Sequence, residues 1–238
     1  MHLESVTLHP EKYPLLDRYP FNLPIFHQPQ SIHFTTPVTL FVGENGTGKS
    51  TLLEALAHIC GIHIWRDGLR SRFENNPYEG QFHHCLSINW TSDRVPGSFF
   101  GSAIFHHFAQ ILDEWAVADP NQLKHFGGKS LLTQSHGQSL MSFFRNRYRL
   151  KGLYLMDEPE TALSPRSQID LLDLLTNVGS GGNAQFIITT HSPLILACPG
   201  AVIYSFDRAP IRTLPYEETE HYRIYKGFME DPSRYMKS

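Results

Sequence analysis

Residues 38–51 read Val38-Thr39-Leu40-Phe41-Val42-Gly43-Glu44-Asn45-Gly46-Thr47-Gly48-Lys49-Ser50-Thr51. An apolar run of strand length, Val38 to Val42, leads into a complete G-x-x-x-x-G-K-[ST] loop, Gly43 to Ser50, and a helix-like run follows from Thr51 to Ala57. Strand, loop and helix in that order are the context a phosphate cradle requires. The glycines let backbone N–H groups turn inward onto phosphate oxygens, Lys49 reaches the β/γ-phosphates, and the Ser50 hydroxyl supplies an oxygen to Mg²⁺. Asn45, Gly46, Thr47, Gly48, Lys49, Ser50 and Thr51 are therefore the candidate nucleotide-binding residues, with ATP or GTP as ligand. Lys49 is expected to face solvent.

A second site supplies the chemistry. Gly152-Leu153-Tyr154-Leu155-Met156 is the continuous apolar run of a strand buried on both faces, and it ends in Asp157-Glu158-Pro159. Asp157, at the carboxyl end of that strand, is placed to hold Mg²⁺ through water. Glu158, one residue on, points elsewhere and is placed to polarise an attacking water.

Three further segments carry a family resemblance. Ser135-His136-Gly137-Gln138-Ser139 lies between the phosphate loop and the acids and resembles the signature sequence of ABC-type ATPases. Glu160-Thr161-Ala162-Leu163-Ser164 follows the acids where that family has its D-loop, and His191, in Thr189-Thr190-His191-Ser192-Pro193, matches its H-loop histidine. Phosphate loop, signature, acids and histidine follow one another from Gly43 to His191, most of the chain. The wording Asp-Glu-Pro-Glu-Thr-Ala-Leu-Ser-Pro with Thr-His-Ser-Pro resembles the soluble AAA/ABC ATPases related to RecF-, SMC- and OLD-type proteins more than a transporter subunit. The tail Tyr216-Glu217-Glu218-Thr219-Glu220-His221-Tyr222 is similar to one small stand-alone group among them.

The resemblance implies an α/β P-loop NTPase of ABC-ATPase type, with a mixed sheet core and an inserted helical subdomain. It implies ATP and Mg²⁺ as cofactors, Ser50 and Asp157 as metal residues, and Glu158 and His191 as catalytic residues. Ser135, Gly137 and Gln138 would face the γ-phosphate of ATP held by a second copy, in an ATP-dependent head-to-tail homodimer. The chain departs from the ABC pattern where His136 replaces the first signature glycine and where Ser164 stands in place of a D-loop aspartate. No glutamine suits a Q-loop: Gln81 precedes the strand expected from His84 to Trp90, and Gln110 falls in a helix-like run. Tyr19 or Phe21 either stacks on adenine or packs as an ordinary aromatic.

At 238 residues the chain suits one α/β domain with a sizeable core, and 41% apolar content is ordinary for one. No apolar run approaches the roughly 20 residues of a membrane span, and the N-terminus has no signal-like pattern, which together predict a cytosolic protein. Cys60, Cys85 and Cys198 are scattered and odd in number, as reduced thiols are. Fourteen histidines include His58, His63, His83 and His84 near cysteines, but without the paired spacing of a zinc site. A formal charge of −3 gives no global attraction to nucleic acid; Arg145, Arg147, Arg149 and Lys151, and separately Arg66, Arg70 and Arg72, are local basic clusters.

The expected organisation is a strand from Val6 to His9, a proline-rich connection with no central strand, strands near Ser31 to Phe34 and Val38 to Val42, and a helical subdomain over about residues 95–150 that carries the signature. After the acids come a helix from Pro165 to Val178, strands Gln185 to Thr189 and Val202 to Phe206, and a polar C-terminal segment. The loop-to-signature gap is too short for an SMC-type coiled-coil arm. Function is expected to be ATP hydrolysis driving an unknown protein partner. The alternatives are the ATP-binding subunit of an ABC transporter, or a regulatory ATPase of a nucleic-acid-processing or defence system.

Overall fold

The computed structural model describes residues 1–65, 76–78, 80–102, 111–112, 114, 116 and 136–236. Two sheets form the framework. Strands β1 (Leu3–Leu8), β2 (Gln30–His33) and β4 (Leu86–Trp90) make an antiparallel sheet ordered β2-β1-β4. The second sheet contains β3 (Val38–Val42), β5 (Gly97–Gly101), β6 (Gly152–Asp157), β7 (Ala184–Thr189), β8 (Val202–Ser205) and β9 (Arg212–Leu214), in the order β5-β6-β7-β3-β8-β9. It is parallel except for the β8–β9 hairpin, so the sheet is mixed.

β3 and β7 are buried at every position, and β6 at all but Asp157. Such strands need apolar layers on both faces. The pleat sends alternate residues to opposite sides. Phe41, Leu155, Ile187 and Phe206 join a core with helix α1 (Lys49–Ile59) and the antiparallel sheet, where Leu52, Leu53 and Leu56 are fully buried. Leu40, Val42, Met156, Phe186 and Ile188 join a second core with α2 (His136–Arg147), α3 (Pro165–Ser180) and the single turn α4 (Pro193–Leu196). Each fully buried Leu or Phe contributes about 1.5–3 kcal/mol. Helix α5 (Glu220–Glu230) lies outside both cores and buries none of its residues.

Buried and half-buried side chains tie the first sheet to the second: the Tyr204 hydroxyl donates to the His33 carbonyl at 2.7 Å, and Gln185 reaches the start of β1. Gln185 Oε1 accepts hydrogen bonds from the backbone N–H of His2 and of Leu3, at 2.8 Å each, and its Nε2 donates to the Leu3 carbonyl at 2.8 Å. A buried amide thus acts as a short piece of strand.

Several sequence expectations need correction. β1 begins at Leu3 and ends at Leu8, and β4 begins at Leu86, because Phe82–Cys85 form a 3₁₀ turn that takes His84 out of the strand. Within the span expected for the helical subdomain, Gly97–Gly101 is a strand of the main sheet, paired with β6 from Gly97↔Leu153 to Gly101↔Asp157. Tertiary pairing overrides the weak strand propensity of glycine here. A Cβ at Gly97 would collide with Ile62 and with the Leu153 carbonyl, so glycine is what lets the chain approach β6. The helix-like run around Gln110 lies largely outside the described residues, as do Ser135 and the Arg66, Arg70 and Arg72 cluster. The polar C-terminal segment contains β9 and α5. The prolines from Pro10 to Pro29 fall in turns and short 3₁₀ segments, without a central strand.

Candidate active site

The carboxyl ends of β3, β6, β7 and β8 lie side by side, and the segments that leave them build the site. The loop Gly43–Ser50 joins β3 to α1. Gly48 takes φ +102° immediately before the helix, and a Cβ there would lie 2.8 Å from the Phe26 ring, so the turn and its packing both exclude a side chain. Gly46 takes φ +79° at the exposed tip with nothing within 4 Å, which leaves its backbone open to an incoming anion.

Lys49 is buried, contrary to the expectation of a solvent-facing side chain. It folds back over its own loop, where Nζ donates to the carbonyls of Gly43 at 2.7 Å and Glu44 at 2.8 Å. Burial pushes its pKa down, while the carboxylates of Glu158, Asp157, Asp207 and Glu44 push the other way. Asp207, just beyond β8, braces the loop: Oδ1 accepts from the Glu44 N–H at 3.0 Å and Oδ2 from the Ser205 hydroxyl at 2.9 Å. Thr47 closes the turn by donating to the Glu44 carbonyl at 2.9 Å.

Across the loop mouth, Asp157 Oδ1 accepts from Ser50 Oγ at 2.8 Å and from Thr189 Oγ1 at 2.6 Å. Ser50 lies in the first turn of α1, Asp157 ends β6, and Thr189 ends the intervening strand β7, opposite Asp157 in register. One carboxylate and one hydroxyl, both hard oxygen donors beside a phosphate cradle, suit Mg²⁺, which takes few protein ligands and completes its shell with water and phosphate.

Glu158 has φ +46° and is the non-glycine residue in the left-handed region among those described. That conformation costs about 1–3 kcal/mol and persists only where surroundings enforce it. Here its N–H is shared between the carbonyl and the hydroxyl of Thr189, both at 3.1 Å, and its carbonyl accepts from Ser102 Oγ at 2.7 Å and Thr161 Oγ1 at 2.9 Å. The turn swings the side chain out of the sheet's alternation, and Oε1 comes to 3.4 Å from His191 Nε2.

His191 follows β7 and is fixed at both ends. Its backbone N–H donates to Glu160 Oε1 at 2.6 Å, and its ring Nδ1 lies 3.0 Å from Nε2 of His221, on α5. Burial raises the Glu160 pKa, against the pull of the His191 N–H. Burial also lowers that of His191, with Lys49 acting in the same direction and Glu158 opposing.

The structure thus brings together Lys49, Ser50, Asp157, Glu158 and His191 from three separate parts of the sequence. Thr189, Asp207, Ser102 and His221 are additional members that sequence reasoning missed. A threonine at a strand end carries no signal of its own, and His221 is one of fourteen histidines, in a tail segment noted only for its likeness to a small group.

Gly137 and Gln138 lie in the first turn of α2, and among the described residues no side-chain hydrogen bond joins Gln138 to Gly43–Ser50. A Cβ at Gly137 would be 3.7 Å from Ser167 Oγ and 3.9 Å from the Ala162 carbonyl, so the signature turn lies against the segment after the acids. Within that segment Ser164 caps α3, its Oγ accepting from Ser167 N–H at 3.3 Å. Phe21 is buried against Tyr13, Tyr78 and Phe82 and does not face the loop, whereas Tyr19 is 44% exposed and its hydroxyl lies 2.9 Å from Thr51 Oγ1.

Residues 22–86, which include the glycine loop, match a family described as an AAA domain. Residues 139–197, which include both acids and His191, match a family described as "AAA domain, putative AbiEii toxin, Type IV TA system". The chain is 27% identical over 190 residues to the ferric enterobactin transport ATP-binding protein FepC of Escherichia coli, covering 74% of this chain and 66% of that protein. It is 26% identical over 159 residues to the molybdate import ATP-binding protein MolC of Haemophilus influenzae, covering 64% of this chain and 60% of that protein. The match therefore spans less than two thirds of the length of either relative. Among solved structures, an SMC head bound to the C-terminal winged-helix domain of ScpA superposes with TM-score 0.56 at 14% identity, over 92% of this chain and 99% of that one. A chain of a metal-chelate type ABC transporter superposes with TM-score 0.51 at 18% identity, over 94% and 88%.

Proposed function

We propose that this P-loop ATPase, related to the ABC and SMC-head families, hydrolyses Mg²⁺-bound ATP in the cytosol within a composite site formed by two copies of the chain. The observation that carries the reading is the convergence at the loop mouth: Ser50 and Thr189 on Asp157, with Glu158 and His191 3.4 Å apart beside them.

In this reading the N–H groups of Asn45 to Thr51 and the Lys49 ammonium bind the phosphates, and Lys49 exchanges its two carbonyl partners for them. Ser50 and Asp157 would hold Mg²⁺, which would neutralise phosphate charge. Glu158, set outside the sheet by its left-handed turn, orients the attacking water and accepts its proton. His191 offers a ring N–H to the γ-phosphate. Ser135, Gly137 and Gln138 face the γ-phosphate of the other copy. Closure of the dimer on ATP and its release after hydrolysis then act on a protein partner.

Glu158→Gln keeps shape but removes the base, so ATP binding should persist while turnover falls by roughly a hundredfold or more. Steady-state phosphate release and ATP titration measure the two separately; wild-type turnover in this variant would overturn the assignment.

A second reading, the ATP-binding subunit of a membrane importer, is favoured by the names of the two curated relatives. Co-purification with a membrane permease distinguishes it. The regulatory role in a nucleic-acid or defence system draws on the second AAA family's description, and DNA-stimulated turnover would favour it.

A further inference from the structure

His221 belongs to no motif of the phosphate loop, the acids or the histidine loop, yet it is in contact with His191. We infer that His221 is a positioning residue that sets the tautomer of His191, holding the proton on His191 Nε2, where it faces Glu158 and the γ-phosphate position of the proposed reaction.

The argument is one of donors and acceptors. A neutral imidazole has one N–H and one bare nitrogen, and two neutral rings that share a hydrogen bond must divide the roles. His191 Nδ1 and His221 Nε2 are 3.0 Å apart, so one of them donates. If His191 Nδ1 donated, the bare lone pair of His191 Nε2 would face the Glu158 carboxylate oxygen 3.4 Å away, and two electron-rich atoms would oppose each other. If His221 Nε2 donates, His191 Nε2 carries the hydrogen and presents it to that carboxylate. Only the second arrangement turns a hydrogen rather than a lone pair toward the carboxylate, at a separation longer than a well-formed hydrogen bond. His191 Nε2 and His221 Nδ1 are both buried without a close hydrogen-bond partner among the described residues, so each arrangement leaves one buried N–H outside a hydrogen bond, and the Glu158 carboxylate facing His191 Nε2 decides between them. A second proton on the pair is disfavoured, since burial lowers the pKa of both rings and Lys49 adds to the effect on each.

The surroundings keep the two rings in register. Glu160 fixes the His191 backbone from one side. On the other, the start of α5 is anchored without help from His221: Tyr216 OH donates to the Pro193 carbonyl at 2.9 Å, the Tyr216 and Tyr222 rings are 4.7 Å apart, and the buried Thr219 caps the helix by accepting from Tyr222 N–H. The helix start should therefore survive replacement of His221.

This deepens the proposed ATPase reading and rests on it for the kinetic effect, but the tautomer is measurable without turnover. In protein labelled with ¹⁵N-histidine, the His191 ring, identified by its loss in His191→Gln, should show the Nε2–H tautomer. His221→Gln retains an N–H donor at similar reach and should keep that signature; His221→Phe removes the donor at similar size and should give a mixture of tautomers. In turnover, His221→Phe should lower kcat by roughly tenfold or more, as loss of a partner that orients a functional imidazole does, with KM for ATP within about twofold, and His221→Gln should restore most of it. A His191 Nδ1–H signal in the wild type, or Gln and Phe variants with the same spectrum, overturns the inference. Wild-type turnover in Glu158→Gln would instead defeat the catalytic reading and leave the tautomer assignment standing.

Discussion

At the scale of single residues, the site rests on short side chains that the motifs do not mention. Thr189 donates to the carboxylate proposed to hold Mg²⁺ and accepts from the N–H of the proposed base, so it sets two neighbours at once. Thr189→Val keeps the shape and removes both bonds. The bond to the Asp157 carboxylate is charge-assisted and worth about 1.5–3 kcal/mol, so half-maximal turnover should require roughly tenfold more Mg²⁺. A magnesium titration of ATPase rate checks this, and an unchanged curve would show that Thr189 does not orient Asp157. Lys49, Ser50, Asp157, Glu158 and His191 were all legible, because their chemistry is tied to fixed spacing. Thr189 and His221 were not, because their roles arise from register between strands and from a helix 30 residues further on, and no local pattern marks either.

At the scale of elements, strands buried on both faces announced themselves as apolar runs, and β3, β6 and β7 lie where those runs stand. β5 did not. Two of its five residues are glycines, and its place in the sheet comes from pairing with β6 and from the absence of side chains where Ile62 presses in. The Gln185 tie between the two sheets is equally invisible in sequence, since a glutamine at the start of an apolar strand carries no sign of what its amide will bond. Gln185 is fully buried because it completes β1. Gln185→Leu fits the apolar surroundings but leaves two N–H groups and one carbonyl at His2 and Leu3 unpaired. At about 1–3 kcal/mol each, the loss should be on the order of 3 kcal/mol or more. Denaturant unfolding measures it; a loss below about 1 kcal/mol would mean that water replaces the amide.

At the scale of the whole molecule, the order of motifs along the chain predicted the nucleotide half of the fold, whereas the proposed composite site requires a second copy that no single chain displays. Gly137→Asp has room for its Cβ and should leave stability and ATP binding by the isolated chain unchanged, while its carboxylate repels the partner's phosphates. Lys49→Ala should bind ATP poorly. Each alone should be inactive, but a mixture contains heterodimers with one intact loop facing one intact signature, and part of the activity should return. Continued inactivity on mixing, with both variants folded, would mean that the signature serves its own chain. The position of β3 has a further consequence for synthesis. Its hydrogen-bonded neighbours are β7 and β8, so the strand that presents the phosphate loop, made before either, gains no partner until residues 184–189 and then 202–205 have left the ribosome. Over that interval Val38–Val42 is an apolar segment with both edges open, the kind of species that aggregates or recruits chaperones. Nucleotide gives it no protection, because the cradle does not exist before its sheet does; ATP can stabilise finished molecules and leaves nascent ones to other safeguards.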